Sequence, residues 1–128
     1  MKLETHKDKR GTIKDLMVGE DFSITHITFK KGVIRGNHYH KKTKQIDVIL
    51  KGKVECHHQT RELHPLGHYY IENGIEIDVK KKGDITIHYE KSAHAYKALE
   101  DSEMVSICIG KRIGKNYAKD TYKCELIS

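Results

Sequence analysis

The sequence predicts a single all-β domain, a small barrel or sandwich, and three observations predict it. Short runs follow one another from residue 22 to residue 109, several alternating apolar with polar, which is the period of a half-buried strand. Glycines fall between them at Gly32, Gly52, Gly74 and Gly83, where a turn needs positive φ or tight approach. No long amphipathic helix, internal repeat or low-complexity tract interrupts the series. Many short strands punctuated by turns close into a sandwich or barrel.

Taken in order, strands are expected at Phe22 to Phe29, Gln45 to Leu50, Lys53 to His58, Ile75 to Val79, Asp84 to His88, His94 to Leu99 and Met104 to Ile109. The single proline, Pro65, sits in a loop-like stretch from Thr60 to Gly67, and the polar tail from Gly110 to Ser128 is expected to wrap or pair at an edge. One domain over residues 1–128 uses the whole length, since a chain of 128 residues leaves no room for a second.

Composition narrows the function classes. With 37% hydrophobic and 33% charged residues the chain is neither disordered nor membrane-embedded in character, and no apolar run approaches a bilayer-spanning length. The opening MKLETHKDKR carries charges where a signal peptide needs an apolar core, so a cytoplasmic location without membrane partner is expected. Cys56, Cys108 and Cys124 are odd in number and lack Cys-x-x-Cys spacing; they are expected to be plain thiols, Cys56 and Cys108 buried in strands. The net charge of +6 is dispersed except at Lys30-Lys31, His40 to Lys44 and Lys80 to Lys82, each beside a turn. That excess suits an anionic small ligand. No base-stacking aromatic pattern accompanies it, so no nucleic acid is expected.

The informative segment runs from Gly32 to Gly52. Residues two apart on a strand share a face, so His38 and His40 project together, as do Gln45 and Asp47 beyond a turn at Lys41 to Lys44. If the second strand pairs back on the first, imidazoles, amide and carboxylate converge. Arg35 lies at odd parity from His38 and faces the same way only if Gly36 marks a bulge.

Gly32, His38, His40, Gln45 and Gly52 resemble the first signature of the cupin superfamily, with Gln45 standing where the family usually has Glu. Gly83 and His94 resemble the second, although Tyr89 and Lys91 replace its Pro and Gly. The resemblance implies an RmlC-like jelly-roll barrel (double-stranded β-helix) with a pocket around His38, His40 and His94, and a homodimer. The string Arg35-Gly36-Asn37-His38-Tyr39-His40-Lys41 is further similar to nucleotide-sugar 3,4-ketoisomerases acting on 4-keto-6-deoxyhexoses. It is less similar to the dTDP-4-dehydrorhamnose 3,5-epimerases, from which His40 departs. Asp8-Lys9-Arg10-Gly11 resembles an Asp-x-Arg-Gly element of both groups, and is otherwise an Asp-anchored turn.

That likeness implies an isomerase or epimerase of a nucleotide-linked sugar, in surface-polysaccharide synthesis, needing no cofactor. His38 and His40 would serve as catalytic base and acid, since histidine titrates near neutrality. Arg35 or Lys41 would hold the diphosphate or developing oxyanion, Gln45 and Asp47 would bond sugar hydroxyls, and Tyr96, at His94's parity, would wall the pocket or donate a proton. Lys41, beside a turn, reads more readily as a solvated residue than as a functional one. Two other classes stand beside it. A metal cupin would place iron, manganese, nickel or zinc on His38, His40, His94 and, more weakly, Gln45; a sugar-binding module would catalyse nothing. His6, His26, His57, His58, His64, His68 and His88 read as packed or surface histidines. Tyr69, Tyr70, Tyr89 and Tyr117 read as barrel or interface aromatics.

Overall fold

The computed structural model describes residues 3–63, 65–67, 69–110 and 120–128, apart from the side chains of 60–63 and 69–73. Two antiparallel sheets face each other. One holds β1 (Thr5–Asp8), β2 (Gly11–Val18), β3 (Phe22–Phe29), β10 (Ser102–Ile109), β5 (Lys44–Lys51) and β8 (Ile85–His88), in that spatial order. The other holds β11 (Tyr122–Lys123), β4 (Ile34–Tyr39), β9 (His94–Ala98), β6 (Lys53–Leu63) and β7 (Tyr69–Lys81).

The interior is divided along the strands. At one end Phe29, Ile49, Val54, Cys56, Tyr96, Ala98 and Met104 pack as the hydrophobic core, each large apolar side chain contributing about 1.5–3 kcal/mol by leaving water. At the other end β5, β9 and β10, joined by β8, bury Gln45, Asp47, Thr86, His88, His94 and Ser106. β5 passes from Ile49 to Gln45 and β9 from Ala98 to His94, so four to five residues carry the chain from core to polar chamber. Strand alternation is therefore inverted on β8: Thr86 and His88 point inward, and Ile85 and Ile87 are 58% and 42% exposed.

The seven expected strands are present, with corrections. β6 and β7 run on to Leu63 and back from Tyr69 where a loop from Thr60 to Gly67 was expected. β9 covers β6 only from Val54 to His58; beyond that the two strands satisfy each other's backbone as a ribbon, and burial no longer imposes an alternation to read. Gly74 makes no turn. It lies inside β7 where Gln59 pairs with Ile75 but Arg61 with Ile71, an irregularity of the kind a strand glycine marks. Gly32, Gly52 and Gly83 do adopt positive φ. The hairpin of β1 and β2 was not anticipated beyond its turn. β4 and β5 are not paired, as the convergence argument supposed; they lie in opposite sheets.

Asp120 anchors that crossover, accepting hydrogen bonds from Lys41 N (3.0 Å), Lys42 N (3.1 Å) and Thr43 Oγ1 (2.9 Å). The described part of the tail pairs at the β4 edge, as expected, through Tyr122 with Tyr39 and Lys123 with His38. Cys56 and Cys108 are buried thiols outside any disulfide. Tyr89 is half-buried; His64, His68, Tyr117 and the side chains of Tyr69 and Tyr70 lie outside the described residues. Among the described residues no helix is long and apolar enough to cross a membrane.

Candidate three-histidine site

The site begins with a bulge. Gly36 pairs with Ala95 and His38 with His94, leaving Asn37 as the extra residue. Gly36 has φ +93°, and a Cβ there would stand 2.8 Å from the His94 carbonyl oxygen and 3.0 Å from Ala95 Cα. Asn37 has φ +57°, a conformation asparagine tolerates better than most residues. Its side chain clasps the tail, Oδ1 accepting from Leu126 N and Ile127 N and Nδ2 donating to Ile127 O. The bulge reverses the parity. Arg35, opposite Tyr96, and His38, opposite His94, both face inward.

His38, His40 and His94 consequently meet, their ring centroids 4.9, 4.8 and 5.6 Å apart, with one donor nitrogen from each within 4.8 Å of the others. Two tautomers follow from the neighbours. A carbonyl oxygen only accepts, so His40 Nδ1–H donates to Asp120 O (3.0 Å) and His94 Nδ1–H to Ser92 O (3.4 Å). Nε2 of each neutral ring is then the lone-pair nitrogen. His94 Nε2 is buried without a hydrogen-bond partner among the described residues. Burial, and then the charges of His88, His38 and His40, hold the His94 imidazole well below its usual range, hence neutral. Neutral imidazoles whose second nitrogen is tied to a carbonyl are the form in which histidine binds a metal. The residues present fit a divalent ion.

Behind them lies a second polar group that the sequence pointed to only in part. Asp47, fully buried, accepts from Gln45 Nε2 at 3.0 Å through both oxygens and from the Tyr96 hydroxyl at 2.5 Å. His88 Nε2–H lies 2.6 Å from the Tyr96 oxygen and 3.2 Å from Asp47 Oδ2. Burial raises the Asp47 pKa, but hydrogen bonding and charge from His88, with the Tyr96 bond, outweigh it and leave the carboxyl below its usual range. Burial beside that carboxylate pushes the Tyr96 phenol well above its usual value. His88, read from sequence as an ordinary packed or surface residue, is 2% exposed and stacks on His94 at 4.2 Å. Its signal was parity: it is the register partner of Gln45 across β5 and β8. Gln45 is engaged with Asp47 and, at 3.9 Å, with Cys108 Sγ.

Arg35 is 7% exposed, donates to Thr28 O at 3.2 Å and stands over the Phe29 ring. It also lines a groove of about 560 Å³ with Asp8 and Arg10 of the β1–β2 hairpin, so two separately flagged segments meet. Asp8 anchors its own turn, accepting from Arg10 N, Nε and Nη2, and these bonds bring its pKa down to about 2. Lys41 is exposed, with Nζ 4.4 Å from the centre of the Tyr122 ring.

No family model and no curated protein matches the sequence. Solved structures do. CapF from Staphylococcus aureus, described as a capsular polysaccharide assembling protein, superposes with TM-score 0.74 at 20% identity over 98% of this chain and 35% of its own. Oxalate decarboxylase from Bacillus subtilis, described elsewhere as containing Mn(II) centres, gives 0.69 at 19% over 94% of this chain and 30% of its own. KdgF from Halomonas sp. gives 0.68 at 17% over 90% and 91%. The chain thus spans about a third of CapF and of the decarboxylase. At such identities the likeness speaks for the fold, and together with the paired sheets it shows that this chain has the cupin, RmlC-like jelly-roll fold.

Proposed function

We propose that this protein is a metal-dependent cupin enzyme, with His38, His40 and His94 holding a divalent ion. The observation that carries the reading is the convergence of three imidazoles with the His40 and His94 tautomers fixed by Asp120 and Ser92. An ion so held supplies Lewis acidity, polarising a substrate oxygen and acidifying bound water. The chain's own residues supply the rest. His88 stacks on His94 and restrains its ring, and the Tyr96–Asp47–His88 chain keeps a proton and a negative charge in place beside it. Three imidazole nitrogen donors suit manganese, iron, nickel or zinc.

The test is elemental analysis of purified chain after reconstitution with each metal, repeated on His94→Ala. About one equivalent more in the wild type than in His94→Ala is expected. No uptake by the wild type from any of the four ions overturns the reading.

A second reading is favoured by the bulge at Gly36 and Asn37, which turns Arg35 to the side of His38. In it the substrate is a nucleotide-linked 4-keto-6-deoxy sugar of surface-polysaccharide synthesis. His38 and His40 move the proton through an enediolate without metal, and Arg35 holds the diphosphate or oxyanion. Solvent deuterium incorporation into such sugars, abolished in His38→Asn and His40→Asn, distinguishes it; a panel with neither turnover nor exchange sinks it. For either chemistry we propose a homodimer seated on the outer face of β3, β10, β5 and β8. There Phe22, Leu50, Ile85, Ile87 and Ile109 are exposed. Four strands by three outward positions span roughly 400 Å², a fitting apolar centre for an interface of about 800 Å² per partner.

A further inference from the structure

A rank of side chains crosses the inner face of the smaller sheet: Glu76 on β7 pairs with His58 on β6, His58 with His94 on β9, and His94 with His38 on β4. The last two belong to the three-histidine site. The first two do not, and Asp78, two residues along β7, shares their face opposite Cys56.

His58 Nε2 lies 3.7 Å from Glu76 Oε2 and 3.9 Å from Asp78 Oδ2, with all three donors within 4.8 Å of one another. Those separations are too long for hydrogen bonds. The nitrogen is nevertheless buried, and it has no hydrogen-bond partner among the described residues. Two ligands sharing one cation at bonds of about 2.1 Å stand roughly 3.0 Å apart at right angles and 4.2 Å apart when opposed. Both distances fall inside that interval. A buried nitrogen that would otherwise lack a partner, facing two carboxylates at ligand spacing, therefore has a specific occupant in a divalent cation. Burial first, and then the charge of His88, lower the His58 pKa against the opposing pull of Glu76 and Asp78, so the imidazole is available in its neutral, ligating form.

We infer that His58, Glu76 and Asp78 form a second divalent-cation site, beside the three-histidine site and separate from it. One imidazole and two carboxylates suit manganese, iron or zinc and leave positions open for water or an anionic substrate oxygen. The two centres are not a bridged pair, because the middle of the β4–β9 pair and the middle of the β6–β7 pair stand two strand spacings apart, about 10 Å. His88 lies between them, stacked on His94 and edge-on to His58 with ring centroids 5.7 Å apart. An anionic group on a substrate held at the three-histidine site would extend along this rank.

The experiment is equilibrium dialysis of chelator-stripped chain against Mn²⁺ alone in 150 mM salt, counted by elemental analysis. The proteins are wild type, His94→Ala, Glu76→Gln/Asp78→Asn, and the triple variant. The expected uptake is about two, one, one and no equivalents in turn. In His94→Ala, bound Mn²⁺ should broaden the His58 imidazole proton resonances at substoichiometric addition. Glu76 and Asp78 are partly exposed, and far-ultraviolet circular dichroism with urea unfolding checks that their replacement leaves the fold intact. Equal uptake by wild type and Glu76→Gln/Asp78→Asn, or binding in His94→Ala only at millimolar Mn²⁺, overturns the inference. If instead His94→Ala matches wild type while Glu76→Gln/Asp78→Asn loses its metal, the second site stands and the three-histidine reading fails.

Discussion

Removing the Asp47 carboxylate tests whether the polar chamber is held together as described. Asp47→Ala deletes the common acceptor of Gln45 Nε2, Tyr96 OH and His88 Nε2. The Tyr96 hydroxyl and His88 ring, 2.6 Å apart, can still bond each other. The Gln45 amide is left without its acceptor, at a cost of about 1–3 kcal/mol. The vacated volume, roughly 40 Å³, adds about 1 kcal/mol. His88 Nε2–H loses a carboxylate acceptor 3.2 Å away, a hydrogen bond to a charged group worth about 1.5–3 kcal/mol. A loss of about 4 kcal/mol lowers Tm by roughly 10–20 °C in a domain of this size. The assay is urea unfolding of metal-free chain at pH 7, with Asp47→Asn as the companion. Asparagine keeps an acceptor for Tyr96 and, once Gln45 flips its amide, a donor for Gln45, so a loss of about 1–2 kcal/mol is expected. An Asp47→Ala cost below about 1 kcal/mol, or equal costs for the two variants, refutes the reasoning.

The same carboxylate sets an acid limit. Its folded pKa is depressed, so its contribution is fully present above the unfolded value of about 3.9 and is lost as pH falls through the folded value; in Asp47→Asn the stability curve below pH 4 should be flatter. Gly36→Ala puts a Cβ at positive φ against the His94 carbonyl. It should cost about 2 kcal/mol or more and weaken metal uptake by displacing His38 from His94, read by urea unfolding and dialysis. Burial pushes the Cys56 thiol up to about 12. A thiol reagent at pH 8 should therefore label Cys124 quickly, leave Cys56 and Cys108 unreacted, and label three thiols only in denaturant. Ile85→Lys/Ile87→Lys should convert a dimer to monomer in light scattering without loss of fold; a wild type already monomeric at high concentration removes the proposed interface.

The sequence by itself determined which residues share a face. Alternation of period two, with glycines at Gly32, Gly52 and Gly83, located seven strands, and the resemblance to the two cupin signatures implied a pocket at His38, His40 and His94. Alternation cannot say which of two faces is inside. At β8 the apolar residues Ile85 and Ile87 point out because the chamber needs Thr86 and His88 within, so His88 looked ordinary. Which strands face each other was decided only by the tertiary structure: β4 and β5 meet across the barrel, not along a hairpin. The parity of Arg35 was decided there too, because a bulge at Gly36 and Asn37 depends on the register against β9. The grouping of His58 with Glu76 and Asp78 likewise joins residues on separate strands whose register the sequence does not encode. Local pattern fixes direction along a strand, and long-range pairing decides what each direction meets.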